Sequence, residues 1–166
     1  KRELIDRWIL SKLNRLVQGV QKAYQEYDLN KVTKLIVPFL NDDLSNWYIR
    51  SNRRRFWDSE LTESKKAVYL TTYEVLVILC KLCAPITPFI TEEIYQRLTG
   101  EDSVHLADMP VENTDLINDG VEERMDLVRD VCSLGRFARE EANIKVRQPI
   151  SQLILPKSDE AIIGDL

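Results

Sequence analysis

From Leu10 onward the apolar residues Leu10, Leu13, Val17, Val20, Tyr24 and Tyr27 recur at alternating steps of three and four. Wound at about 3.6 residues per turn, that spacing lays one continuous apolar stripe along a long helix. Such a helix must bury its stripe against neighbours, which constrains the chain toward a bundle. Val32, Ile36, Phe39, Leu40, Leu44 and Trp47 mark a second helix from about Lys31 past Arg50. Asp28 and Asn30 are suited to end the first helix and cap the second. Pro38 falls inside the second pattern and lacks a backbone donor, predicting a kink or break near Val37. A third helix is expected from about Thr62 to Cys83. It is apolar nearly all round between Val75 and Leu79, which makes it the expected most-buried element. Pro85 ends it, and Thr87 with Pro88 opens a shorter helix that Gly100 closes.

The stretch from Glu101 to Asn118 keeps no period and reads as a connection with a short extended piece at Val104 to Leu106. A last helix opens at Asp119, with Glu122 as a capping-box variant, and should stop near Asn143. Beyond it Ile150, Leu153 and Leu155 alternate around Pro149, the pattern of an extended arm or edge strand. The expected fold is all-α: an antiparallel bundle of about five helices with a short extended C-terminal arm. Residues 1–156 are expected to form the bundle and 157–166 to begin a linker to a next domain.

The 166 residues suffice for one domain with a real core. No apolar run is long enough to cross a bilayer, so a membrane partner is not expected. The chain opens with Lys1 inside helical pattern, which reads as a piece of a larger protein. Cys80, Cys83 and Cys132 are an odd set without a basic-then-apolar leader, which fits a reducing compartment. Cys80 and Cys83 with His105 and Cys132 could make a four-ligand zinc set. Both thiols of the pair, however, sit at the end of an apolar run with no turn between them, which favours burial as small hydrophobes.

The richest chemistry lies in Asn46-Trp47-Tyr48-Ile49-Arg50-Ser51-Asn52-Arg53-Arg54-Arg55-Phe56-Trp57. Guanidinium forks grip phosphates with paired hydrogen bonds, and flat rings stack on unpaired bases. Concentrated in a chain of formal net charge -4, they point to a localised nucleic-acid contact. On a continuous helix Arg50, Arg53, Arg54 and Trp57 share one side, with Arg55 off it. Asp42, Asp43 and Asp58 are the acids that could neutralise the cluster. Trp47 continues the apolar stripe and is expected in the core; Trp57 is the stacking candidate, or else a cap over the bundle end. Arg136, Arg139, Lys145 and Arg147 form a second basic group. Catalytic readings fail on inventory: His105 is the only histidine, and the five glycines form no phosphate loop.

Asp42-Asp43-Leu44-Ser45-Asn46-Trp47-Tyr48-Ile49-Arg50 with its trailing arginines resembles the signature helix of the anticodon-binding domain of isoleucyl-tRNA synthetases. Three further segments match in the same order: Leu82 to Tyr95 around Ala84-Pro85-Ile86-Thr87-Pro88-Phe89, then Ser103-Val104-His105-Leu106, then Ile144-Lys145-Val146-Arg147-Gln148-Pro149. The resemblance runs from Asp6-Arg7-Trp8 to Pro156. Ser51 stands where arginine is frequent, Met109 where tryptophan is usual, and Pro38 interrupts the second helix.

The resemblance implies a tRNA anticodon stem-loop binding domain cut from a cytoplasmic, monomeric class I ligase that attaches isoleucine to its tRNA. ATP and magnesium would serve the parent enzyme; no cofactor and no catalytic residue is expected here. His-Ile-Gly-His and Lys-Met-Ser-Lys-Ser signatures are absent. The implied partners are an isoleucine-acceptor tRNA and the ligase's other domains. Arg50, Arg53, Arg54, Arg55 and Trp57 are the expected tRNA contacts, with Lys145 and Arg147 as secondary backbone contacts. Valyl specificity is the near alternative, and a structural bundle docking on protein partners is the alternative from another class.

Overall fold

A computed structural model describes residues 1–152 and Ile154. It divides into two compact units, residues 1–117 and 118–166, a boundary inside the span expected as one bundle. Among the described residues there are six α-helices and no strand.

The first unit is built around α1 (Leu4–Gln25). A reciprocal capping box starts it: the Asp6 amide donates to the Glu3 side chain and the Glu3 amide to the Asp6 carboxylate. The predicted stripe is buried at Leu10, Leu13, Val17 and Val20, together with Trp8, Ile9 and Leu16. α1 ends in a left-handed residue, Tyr27 at φ 56, with the Asp28 amide reaching back to the Ala23 carbonyl at 2.9 Å. Asp28 then caps α2 (Leu29–Pro38) through the Lys31 amide.

Of the kink or break expected near Val37, the break does not occur. The chain stays helical and rewinds into a π-helical segment, Phe39–Ile49, in which the Arg50 amide reaches the Ser45 carbonyl five residues back. Proline withholds its own amide, and the wider winding carries the chain onward. The phase changes with it: Phe39, Leu44 and Tyr48 are buried, at steps of five and four. Tyr48 is therefore the fully buried ring, while Trp47 is half-buried, contrary to the expectation from a uniform period.

After a turn at Asn52 comes the short α3 (Arg53–Trp57). α4 (Glu63–Cys83) follows, its Thr62 cap accepting from the Lys65 amide at 3.1 Å. The expectation that this helix is the most buried is corrected. α1 packs on α2, the π-helical segment and α4, whereas Leu76, Val77 and Ile78 of α4 stay only half-buried. α5 (Pro88–Thr99) closes at Gly100, whose left-handed φ of 73 is unstrained because glycine has no Cβ. Cys80, Ala84 and Tyr95 pack with Val104 into a small core of their own. Val104–Leu106 is a 3-10 turn, not an extended piece, because Ser103 caps it through the His105 amide and Glu92 accepts from the Val104 amide. A second such turn spans Thr114–Leu116.

In the second unit α6 (Asp119–Glu141) is capped by Asn118, whose side chain accepts from the Val121 amide. It ends at left-handed Asn143, with the Ile144 amide on the Arg139 carbonyl at 2.8 Å. The start of the expected arm is a turn, closed by the Gln148 amide on the Lys145 carbonyl at 2.9 Å. Leu153, Leu155 and the expected linker at 157–166 lie outside the described residues.

Candidate nucleic-acid interface

α3 has only five residues, far below the length at which an isolated helix persists in water. Its direction must come from what its inner side chains hold. Phe56 meets Tyr69 of α4 edge to face, ring centroids 5.4 Å apart at 81°. The Tyr69 hydroxyl donates to the Phe56 carbonyl, and Lys65 Nζ donates to the Asp58 carbonyl at 2.6 Å.

With Arg55 and Phe56 directed inward, Arg53, Arg54 and Trp57 fall on the outer side, as a turn of about 3.6 residues requires. Arg50, Ser51, Arg53, Arg54 and Trp57 line one open depression. A second shares Arg50, Arg53 and Trp57, and adds Ser45, Ile49, Phe56 and Thr72. Trp57 is 80% exposed, so it does not cap the bundle end. Among the described residues none of the ion pairs involves Arg50, Arg53 or Arg54. Three guanidiniums that line one depression without ion-pair partners repel one another, and a polyanion is a partner that relieves this.

Arg55, also expected to meet tRNA, is the exception: its guanidinium is engaged inside the fold. Its side chain is 13% exposed and forms a fork with Asp6, which is fully buried: Nη1 to Oδ1 and Nη2 to Oδ2, both 2.9 Å. Nη1 also donates to Asn52 Oδ1, Nη2 to the Ser64 carbonyl and Nε to Ser64 Oγ. All five of its N–H donors are thus filled from within the fold. Asp6 is equally saturated, accepting also from the Glu3 amide and from the buried Tyr48 hydroxyl at 2.8 Å. Burial alone would raise the Asp6 carboxyl, but the Arg55 fork, the Glu3 amide and Tyr48 outweigh it and hold the group below its ordinary value. The Tyr48 phenol moves the opposite way, pushed up by burial and by the Asp6 charge beside it.

Sequence reasoning missed this network. Asp6 and Arg55 are 49 residues apart, and nothing local marks either as a partner. The faint signal was that Arg55 alone among the arginines leaves the shared helical side.

Lys145 and Arg147 lie exposed in the second unit, in the turn after α6. The Arg139 guanidinium shapes that turn by donating to the Lys145 and Gln148 carbonyls at 2.9 and 2.8 Å. Cys80 and Cys83 sit at the end of α4, and burial pushes both thiols up, Cys83 to about 11. Among the described residues no group of three or more His, Cys, Asp or Glu could hold a metal ion. No helix among them is long and apolar enough to cross a membrane.

The family described as the anticodon-binding domain of tRNA ligase matches residues 6–154. The chain is 45% identical over 166 residues to an isoleucine–tRNA ligase of Bacteroides thetaiotaomicron, covering 96% of this chain and 14% of that protein. It is 43% identical over 159 residues to an isoleucine–tRNA ligase of Chlamydia trachomatis, covering 94% and 15%. A third similar protein, the isoleucine–tRNA ligase of Porphyromonas gingivalis, is 40% identical over 161 residues. The chain spans 14–15% of the length of these curated relatives.

Proposed function

The chain belongs to the family of anticodon-binding domains of tRNA ligases, and from that premise we propose that it grips the anticodon stem-loop of an isoleucine-acceptor tRNA as part of an isoleucine–tRNA ligase. The observation that carries this reading is the outer face of α3 with Arg50 just before it: Arg50, Arg53 and Arg54 unpaired among the described residues, beside an 80% exposed Trp57. Guanidiniums fix register on the phosphate backbone, and a solvent-facing indole offers a stacking surface for a base displaced from the loop. Lys145 and Arg147 are the candidates for further backbone contacts. The similarity to isoleucine–tRNA ligases supports isoleucine as the amino acid served.

In this reading the chain positions and does not react. ATP and magnesium belong to another part of the ligase, where isoleucine is activated. Holding the distal stem restricts where the acceptor end can reach, so binding energy spent here orients the reacting ribose. The test is a titration of the chain with an isoleucine-acceptor anticodon stem-loop, against a stem-loop of the same stem and a scrambled loop. At least about tenfold tighter binding of the first is expected, the discrimination of one good base contact. Equal affinities would refute loop recognition.

A further inference from the structure

Five residues of helix carry Arg53, Arg54 and Trp57, and their aim depends on Arg55. Around that guanidinium converge the start of α1 through Asp6, the turn before α3 through Asn52, and the start of α4 through Ser64. Glu3 adds a carboxylate 3.4 Å from Nε and accepts from Ser64 Oγ. Tyr48 fastens the far side of Asp6, and Asn52 Nδ2 donates to the Tyr48 carbonyl at 2.8 Å. The acceptors that Arg55 fills come from three separate segments, so they constrain the rotation of α3 about its own axis. That rotation sets which side chains face out.

We propose that the Asp6–Arg55 ion pair is the positioning element of the RNA-binding face: it holds Arg53, Arg54 and Trp57 in the orientation that meets RNA, and Arg55 itself touches no phosphate. The proposal rests on the tRNA-binding reading above. A buried ion pair contributes little net stability over an apolar pair of equal size, whereas a forked pair fixes geometry closely. Its presence beneath the arginine turn is therefore explained by the orientation it imposes.

Arg55→Lys separates the possibilities. Lysine binds phosphate well as a point charge but supplies three donors where the site has acceptors for five. If Arg55 met phosphate directly, Arg55→Lys would keep affinity within about threefold and keep the salt slope. As a positioning residue it is expected to lose about tenfold or more, with a shallower slope as Arg53 and Arg54 lose their contacts. Affinities refer to the folded fraction, read by circular dichroism in the same sample. Asn52→Ala is the milder companion, for the case in which Arg55→Lys does not fold. Asn52 is 2% exposed and uncharged, and its side chain bonds Arg55 and the Tyr48 carbonyl, so its loss can weaken RNA binding only through those two contacts. Several-fold weaker binding by folded Asn52→Ala supports the proposal; unchanged binding by it, or by folded Arg55→Lys, overturns it. Arg53→Gln with Arg54→Gln serves as the control. If that double variant binds like the unmodified chain, the tRNA-binding reading fails, whatever Arg55 does.

Discussion

Replacing Arg53 and Arg54 together by glutamine should change the salt dependence of RNA binding by a calculable amount. Both guanidiniums are exposed and without acid partners among the described residues, so each is free to displace one counterion from a contacted phosphate. Each such contact contributes about 0.7–0.9 to the slope of log K against log salt. Two lost contacts lower the slope by about 1.4–1.8. Between about 50 and 200 mM salt, a change of about 0.6 log units, the unmodified chain should lose roughly tenfold more affinity than the double variant. Whatever Arg50, Lys145 and Arg147 contribute cancels in that comparison. Glutamine keeps helix propensity, and removing exposed like charges should shift stability by less than about 0.5 kcal/mol each. The assay is fluorescence anisotropy of a labelled anticodon stem-loop across a salt series, with thermal unfolding of both proteins alongside. Parallel salt plots for the two proteins would refute the reasoning, because they would mean that neither guanidinium meets a phosphate.

Asp6→Asn should destabilise the fold at neutral pH by about 3 kcal/mol or more, since it leaves the Arg55 charge buried and underpaired. The Asp6 carboxyl is held below its ordinary 3.8, so its contribution is complete above that value and is lost as pH falls through the lower folded value. Acid titration of stability should therefore be steeper in the unmodified protein than in Asp6→Asn below about pH 4; equal slopes would contradict the pairing. The Tyr48 phenol, raised by burial, works at the other end. Its contribution is present below the ordinary 10.0 and is lost as pH rises beyond it, so Tyr48→Phe should flatten the alkaline limb of the same curve. Among the thiols, Cys132 should react with a maleimide at pH 7.5 well before Cys83, which burial raises to about 11. Mass spectrometry of a short labelling pulse checks the order.

The parts of the fold that were legible in the sequence are those where local chemistry and burial agree. The α1 stripe, the Asp28 and Thr62 caps and the Gly100 stop each depend on residues within one or two turns. The exchange of Trp47 for Tyr48 in the core was not legible. A pattern projected at 3.6 residues per turn cannot register that Pro38 leads into wider winding, and one π-helical stretch suffices to hand the inner face to the next residue. At the site, the shared side of Arg50, Arg53, Arg54 and Trp57 followed from spacing, even though a turn at Asn52 interrupts the helix expected to carry them. The inward turn of Arg55 depended on Asp6, Ser64 and Tyr48 arriving from three other segments, information that spacing along one helix does not hold.

The most direct test of the central claim uses the three indoles as reporters. Trp8 is fully buried, Trp47 half-buried and Trp57 80% exposed beside the unpaired arginines. In nitrogen-15 labelled protein titrated to saturation with an isoleucine-acceptor anticodon stem-loop, the Trp57 indole resonance should shift while that of Trp8 stays in place. A saturated complex in which the Trp57 signal does not move would contradict the account, because the RNA would then be held somewhere other than the outer face of α3.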